Sequence, residues 1–295
     1  MLKLHLLSRA REYTALHGIT DKYKDYLSVI KNQGSEGRCW AYSLTSAIEM
    51  KYALKSGNRL MLDPMTLVNN SAKWWTKHCN ADDCKICLTY DEEGGYNTPC
   101  AVGYLNSSKQ EMMQIDGKNS ELIIKDYGIA SITSVKELYD ALDEHKLLYT
   151  TIYAPDELPT MTAVNEYINE DTDIDHAVVM TSVGKLEGSD AVYVELLNSW
   201  GYDVSYDGLV YVKVADDENS KLHNNLNMFS MNIWIDVDES DRLSYTIIQT
   251  LLLVFICLAV VELTTIIALC VYINKQCSCR RGSYKPAADE DTVKV

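Results

Sequence analysis

Between Thr246 and Ile273 the chain carries a single charge, Glu262, and no other stretch restricts its folding so strongly. Hydrocarbon offers backbone N–H and C=O groups no partner, so a run of this length is expected to form a helix crossing a bilayer, which takes about 20 residues. A core helix this long and this uniformly apolar would be unusual in a water-soluble fold. Glu262 lies near mid-span, where a carboxylate costs about 2.5–3.5 kcal/mol, a penalty the many aliphatic neighbours offset. It reads as a point of association with another helix. The lipid bilayer is therefore expected as a partner through residues 246–273.

The rest of the chain divides around that span: an N-terminal segment at 1–17, a domain at 18–235, an acidic juxtamembrane linker at 236–245 and a short tail at 274–295. Residues 1–245 hold 22 Lys and Arg against 38 Asp and Glu. That balance argues against nucleic acid and an anionic membrane surface as partners of the soluble part, and it weakly favours basic substrates. The opening MLKLHLLSRAREYTALHG is broken by Lys3, His5, Ser8 and Arg9. It lacks the apolar core of a secretory signal and is expected to form a short amphipathic helix.

From Cys39 onward, Trp40, Ala41, Leu44, Ala47, Ile48, Tyr52 and Ala53 recur at helical spacing, and Gly57-Asn58 supplies a stop. Met61–Trp75 predicts a second helix and Ser134–His145 a third, with Ser134 as N-cap and Glu137 at the capping-box position. Then the period changes. Leu147–Ala154, Ala177–Gly184, Ala191–Asn198 and Gly208–Val214 are β-branched or Tyr-rich runs broken by turn residues, which predicts strands. A helical front half and a β back half imply two lobes with a cleft between them.

Cys39 is placed at the first turn of its helix, where unpaired N–H groups and the helix dipole favour a thiolate and a lowered pKa. Gln33, six residues earlier, brings an amide donor. Thiol catalysis also needs a base and a group that orients it. Of six histidines only His176 opens an apolar strand. Asn198 closes the strand expected at Ala191–Asn198, where it can fix the imidazole tautomer while Trp200 shields that bond from water.

Gln33-Gly34-Ser35-Glu36-Gly37-Arg38-Cys39-Trp40-Ala41-Tyr42-Ser43, Asp175-His176-Ala177 and Asn198-Ser199-Trp200-Gly201 resemble the motifs of papain-like cysteine peptidases, in the same order and at similar intervals. The resemblance covers roughly residues 18–235. It implies an α+β papain-like two-lobe fold with a helical left lobe and a β-barrel-like right lobe. It also implies a cysteine-type endopeptidase acting on polypeptide substrates without a cofactor or metal. In the roles it suggests, Cys39 is the nucleophile, His176 the base, Asn198 the orienting residue, and Gln33 the oxyanion donor beside the Cys39 N–H. Gly94-Gly95-Tyr96 resembles the segment that pairs with extended substrate, and Tyr96 and Ile174 would line the main specificity pocket. Competing expectations are an inactive papain-fold receptor or adhesion module and a related acyl-transferase.

Departures from the family pattern carry their own expectations. Glu36 and Glu92 stand where secreted members have a disulfide, and Gly37-Arg38-Cys39-Trp40 resembles the bleomycin hydrolase branch, which lacks that bridge. Val204 stands where the family often has a further Trp. The residues before Cys39 are fewer than the long pro-segment of lysosomal relatives, so control is expected from elsewhere. Cys79, Cys84, Cys87 and Cys100 admit two disulfides or a metal site; disulfides fit the resemblance better. Cys277 and Cys279 at the membrane edge are candidates for palmitoylation.

Lys275, Arg280, Arg281 and Lys285 follow the span, whereas Asp236, Asp238, Glu239 and Asp241 precede it. The positive-inside rule then puts the tail in the cytosol and the peptidase domain in a lumen or outside the cell. The sequons at Asn69 and Asn106 are compatible with that placement. The short tail argues for the alternative, a tail-anchored protein facing the cytosol.

Overall fold

The computed structural model describes residues 12–69, 122–168, 173–239 and 242–281. The chain forms two units, 1–240 and 241–295. The larger is built on helix α1 (Cys39–Ser56) and an eight-stranded sheet. Its strands are β1 (Tyr13–Gly18), β2 (Leu122–Ile129), β3 (Leu148–Ile152), β4 (Ala163–Val164), β5 (His176–Leu186), β6 (Val192–Leu197), β7 (Leu209–Ala215) and β8 (Asn232–Glu239), with helix α2 (Val135–His145) between β2 and β3. The order across the sheet is β2-β8-β3-β5-β6-β7-β4, and β1 pairs with β5 beside that path.

β5 is the organising strand. On one edge, β3 covers its first half from His176 to Met180, and β1 covers its second half from Ser182 to Leu186. β6 lies along the opposite edge. Gly184 allows β1 this close: a Cβ there would meet the Thr14 carbonyl oxygen at 2.0 Å. Successive side chains alternate between two cores, as the two-residue period of a strand requires. Ala177, Val179, Tyr193, Leu197, Leu209 and Tyr211 join the core containing Trp40, Leu44 and Ile48 of α1. Val178, Met180, Val192, Val194, Val210 and Val212 join the second core with Leu138 and Leu142 of α2. Because both faces are covered, these strands read as nearly unbroken apolar runs.

Helix α1 has the expected start and length, and Gly57 ends it in a left-handed conformation, φ 73°. It is buried on almost every side, from Trp40 through Met50. α2 also forms as expected. Ser134 Oγ accepts from the Glu137 N–H at 3.2 Å, while Glu137 reaches one residue past the cap and accepts from the Thr133 N–H at 2.8 Å.

Three expectations are corrected. Residues 13–18 form β1 where an amphipathic helix was expected, because tertiary pairing with β5 overrides a weak local signal. β2 and β8, which pair with each other, had no clear signature. β8 also carries residues 236–239 into the stretch read as a linker. Of the helix expected at Met61–Trp75, residues 61–63 are not helical, 64–69 are, and 70–75 lie outside the described residues. Also outside them are Gly94, Gly95 and Tyr96, Glu92, the four-cysteine cluster and the Asn106 sequon.

The second unit contains helix α3 (Arg242–Arg281), 40 residues long. Its segment Thr250–Lys275 is long and apolar enough to cross a membrane, extending roughly 39 Å at 1.5 Å per residue. Along it Thr264 Oγ1 and Thr265 Oγ1 donate to carbonyls three residues back, at 2.8 and 2.7 Å.

Candidate active site

Cys39 opens α1 as its first residue, with Arg38 as N-cap. One turn later Ser43 Oγ donates to the Ala177 carbonyl at 2.7 Å, fastening the helix to the strand that begins at His176. The two ends are thus held together at the cleft. Its volume is about 470 Å³. Gln33 to Gly37 and Cys39 line one wall, and Ala154 to Asp156, Pro159, Asp175, His176 and Trp200 line the other.

The protonation pattern follows from the hydrogen bonds. Asn198 Oδ1 accepts from the Ser199 N–H at 2.7 Å, which identifies that atom as the amide oxygen. The same oxygen lies 2.8 Å from His176 Nε2. An amide oxygen only accepts, so Nε2 carries the proton and Nδ1 keeps a lone pair for the thiol side. Trp200 stacks on the imidazole with centroids 4.4 Å apart and planes 27° from parallel. His176 and Asn198 are only 5% and 3% exposed, so this bond is screened from water. Asn198 Nδ2 is buried with no hydrogen-bond partner among the described residues. An orphaned donor costs about 1–3 kcal/mol, a penalty accepted at the residue that aims the imidazole.

Gln33 is held as firmly. Its N–H donates to the Ser199 carbonyl at 2.8 Å, and the Gly201 N–H donates to the Lys31 carbonyl at 3.0 Å. Ser199 Oγ donates to Gln33 Oε1 at 2.6 Å, and Gln33 Nε2 donates to the Glu36 carbonyl at 3.0 Å. One Nε2 hydrogen is left over at the cleft. Behind this turn lies a buried pair, Lys31 Nζ to Glu49 Oε2 at 2.7 Å. Glu49 also accepts from Ser28 Oγ at 2.6 Å and from the Leu62 N–H at 2.6 Å. Burial lowers the Lys31 ammonium from its ordinary range, and Glu49 opposes that shift.

The expected lowered thiol pKa is corrected. Burial pushes Cys39 up, outweighing the N–H groups of Ala177, Trp40 and Cys39 itself that favour the thiolate; the Asp175 charge adds to the rise. Burial likewise pushes His176 down, against Asn198 and Asp175. Each group alone resists charging in a site this dry. Passing the proton from thiol to imidazole makes two opposite charges together, each compensating the other.

Cys39, Gln33, His176 and Trp200 therefore meet at one cleft with Asn198 behind them. Ile174, 40% exposed, is not among the residues named on that cleft, and the segment expected beside it, Gly94 to Tyr96, lies outside the described residues. Three contributors had no role in the sequence reading. Asp175 Oδ1 accepts from the Ala154 N–H at 2.9 Å and acts on both titrating groups. Ser199 joins Gln33 to Asn198. Asp156 lies in a Pro-bounded stretch without periodicity. Arg38 pairs with Glu36 and places Nη1 3.1 Å from Met65 Sδ, bracing the turn that leads into Cys39.

A thiol at a helix N-terminus, an imidazole held in one tautomer by an amide and a carboxamide donor on the thiol's own wall share this cleft, the set of groups that thiol chemistry needs. The chain belongs to the papain family of cysteine proteases, whose family model matches residues 19–231. It is 25% identical over 214 residues to procathepsin L of Rattus norvegicus, covering 67% of this chain and 59% of that protein. Against cathepsin L2 of Homo sapiens the identity is 27% over 206 residues, with 67% and 60% covered. The chain thus spans about three fifths of the length of the curated relatives it matches. In fold it is similar to digestive procathepsin L 3 of Tenebrio molitor larval midgut, with a TM-score of 0.56 at 20% identity, covering 72% of this chain and 67% of that one. The architecture is papain-like.

Proposed function

We propose that this chain is a cysteine-type endopeptidase, hydrolysing peptide bonds through Cys39, His176, Asn198 and Gln33. Residues 18–235 act as its peptidase domain, tethered to a membrane by the helix through 246–273. The observation that carries the reading is the His176 Nε2–Asn198 Oδ1 bond, which leaves Nδ1 as the proton acceptor in the cleft that holds Cys39.

In this reading Cys39 Sγ attacks the scissile carbonyl carbon while its proton passes to His176 Nδ1. The oxyanion receives hydrogen bonds from Gln33 Nε2 and the Cys39 N–H. The carbon–nitrogen bond breaks as the imidazolium returns the proton to the departing amine, leaving a thioester on Cys39. Water then gives a proton to His176 and its oxygen to the acyl carbon, and collapse frees the acid and the thiol. The imidazolium is stabilised by Asn198 and Asp175. Gly94, Gly95, Tyr96 and Ile174 would hold the extended substrate on the acyl side.

An epoxide warhead aimed at cleft thiols tests the reading on the full chain in detergent. A Cys39 adduct at neutral pH, together with cleavage of peptides blocked at their N-terminus, is expected. Absence of both would leave a papain-fold binding module. For the tether, protease protection of intact vesicles is expected to shield residues 18–235, in keeping with the basic residues after the span. Complete digestion would place the domain on the cytosolic side.

A further inference from the structure

We propose that Asp156 makes the leaving-group side of the cleft selective for polypeptides with Lys or Arg just beyond the scissile bond. This rests on the peptidase reading above and names its substrate class. Apart from Cys39 and His176, every ionisable side chain lining the cleft among the described residues is a carboxylate: Glu36, Asp156 and Asp175. Their situations differ. Glu36 is already paired with Arg38. Asp175 holds the Ala154 N–H and sits next to the imidazole. Asp156 is exposed and has no hydrogen bond or ion pair among the described residues. Among the described residues it is the free charge that a bound substrate would meet.

Its place along the cleft follows from the chemistry. The imidazole must hand its proton to the departing amine, so the leaving segment passes along the wall that carries His176, where Asp156 stands. That wall is fixed before substrate arrives. The Leu158 N–H donates to the Pro155 carbonyl at 2.8 Å, and the Ser205 N–H donates to the Pro159 carbonyl at 2.8 Å. Ser205 Oγ adds a bond to the Leu158 carbonyl at 3.1 Å. A carboxylate on a rigid wall attracts an ammonium or guanidinium and repels a carboxylate, without first having to be ordered. The net charge of −15 adds to the same preference at longer range,.

The test uses the full chain in detergent and internally quenched peptides that differ only in Lys, Gln or Glu at the two residues after the scissile bond. At low ionic strength the kcat/KM ratio of Lys to Glu peptides is expected to be about tenfold, shrinking as salt screens the charges. Asp156→Asn is expected to cut that ratio about fivefold. Glu157→Gln makes the same change in net charge at an exposed neighbour outside the cleft, and is expected to leave the ratio alone. An unchanged ratio in Asp156→Asn, or an equal drop in both variants, overturns the proposal. Epoxide labelling of the same preparations separates the two failures. An enzyme that labels and cleaves all three peptides equally refutes the selectivity alone, whereas no adduct and no cleavage refute the peptidase reading and this inference together.

Discussion

Ser199 Oγ donates a 2.6 Å hydrogen bond to Gln33 Oε1, joining two residues 166 positions apart in sequence. The bond decides which end of the carboxamide faces the cleft. Ser199→Ala removes it and frees the amide to rotate. We expect kcat to fall about tenfold with KM little changed, a smaller loss than the roughly 10²–10³ expected for Gln33→Ala. Steady-state kinetics on both variants, with circular dichroism to verify the fold, measures this. A Ser199→Ala enzyme as fast as the parent would mean that the Glu36 carbonyl alone orients Gln33.

The bond from Ser43 to the Ala177 carbonyl sits one turn after Cys39 and one residue after His176. Ser43→Ala should cost about 1 kcal/mol of stability, the usual worth of one hydrogen bond. Because small displacements between reacting groups are magnified in rate, activity should fall further, by about tenfold. Urea midpoints and kcat on one preparation compare the two. Equal and small losses would show that the helix and the strand hold register without this bond.

Lys31 and Glu49 are only 8% and 5% exposed. Glu49→Ala would leave the ammonium buried without its counter-charge, which typically costs about 3–5 kcal/mol. Replacing both, as Lys31→Met with Glu49→Leu, should recover most of that loss. Chemical denaturation of the two single variants and the double variant yields the coupling. A loss under about 1 kcal/mol in Glu49→Ala would show that water reaches the ammonium.

A pH experiment reads the burial of His176 directly. In a Cys39→Ala background no thiol can pass it a proton, and the folded imidazole titrates below its unfolded value of about 6.5,. The unfolded chain therefore binds a proton that the folded chain resists. This contribution to stability is fully present above about pH 6.5 and is lost as pH falls toward the lowered folded value. His176→Phe in the same background should flatten melting temperature against pH across that window. Parallel curves for the two proteins would place the acid sensitivity elsewhere.

Most of the site was legible because its residues sit where local patterns change. Cys39 follows a Gly-bracketed turn and opens a helical period, His176 opens an apolar strand, and Asn198 closes one. Ser199 and Asp175 were visible only as motif members, since their work depends on long-range partners, Gln33 and the Ala154 N–H. Asp156 had no signal, because a rigid wall made of prolines and turn hydrogen bonds has no period. The thiol's acidity was misjudged because a helix terminus is a local feature and dryness is not. Likewise β1 is a strand only because β5 offers it an edge.

That edge has a consequence for proteolytic processing. β1 and β3 lie end to end along the same side of β5, and among the described residues no other strand covers the half paired with β1. The pairing starts at Glu12, whose carbonyl accepts from the Glu187 N–H at 2.6 Å. One cut further inward would bare the backbone groups of Ser182 to Leu186, an adhesive edge of the kind that templates aggregation. A processed chain that keeps this edge closed must therefore retain Glu12 and Tyr13.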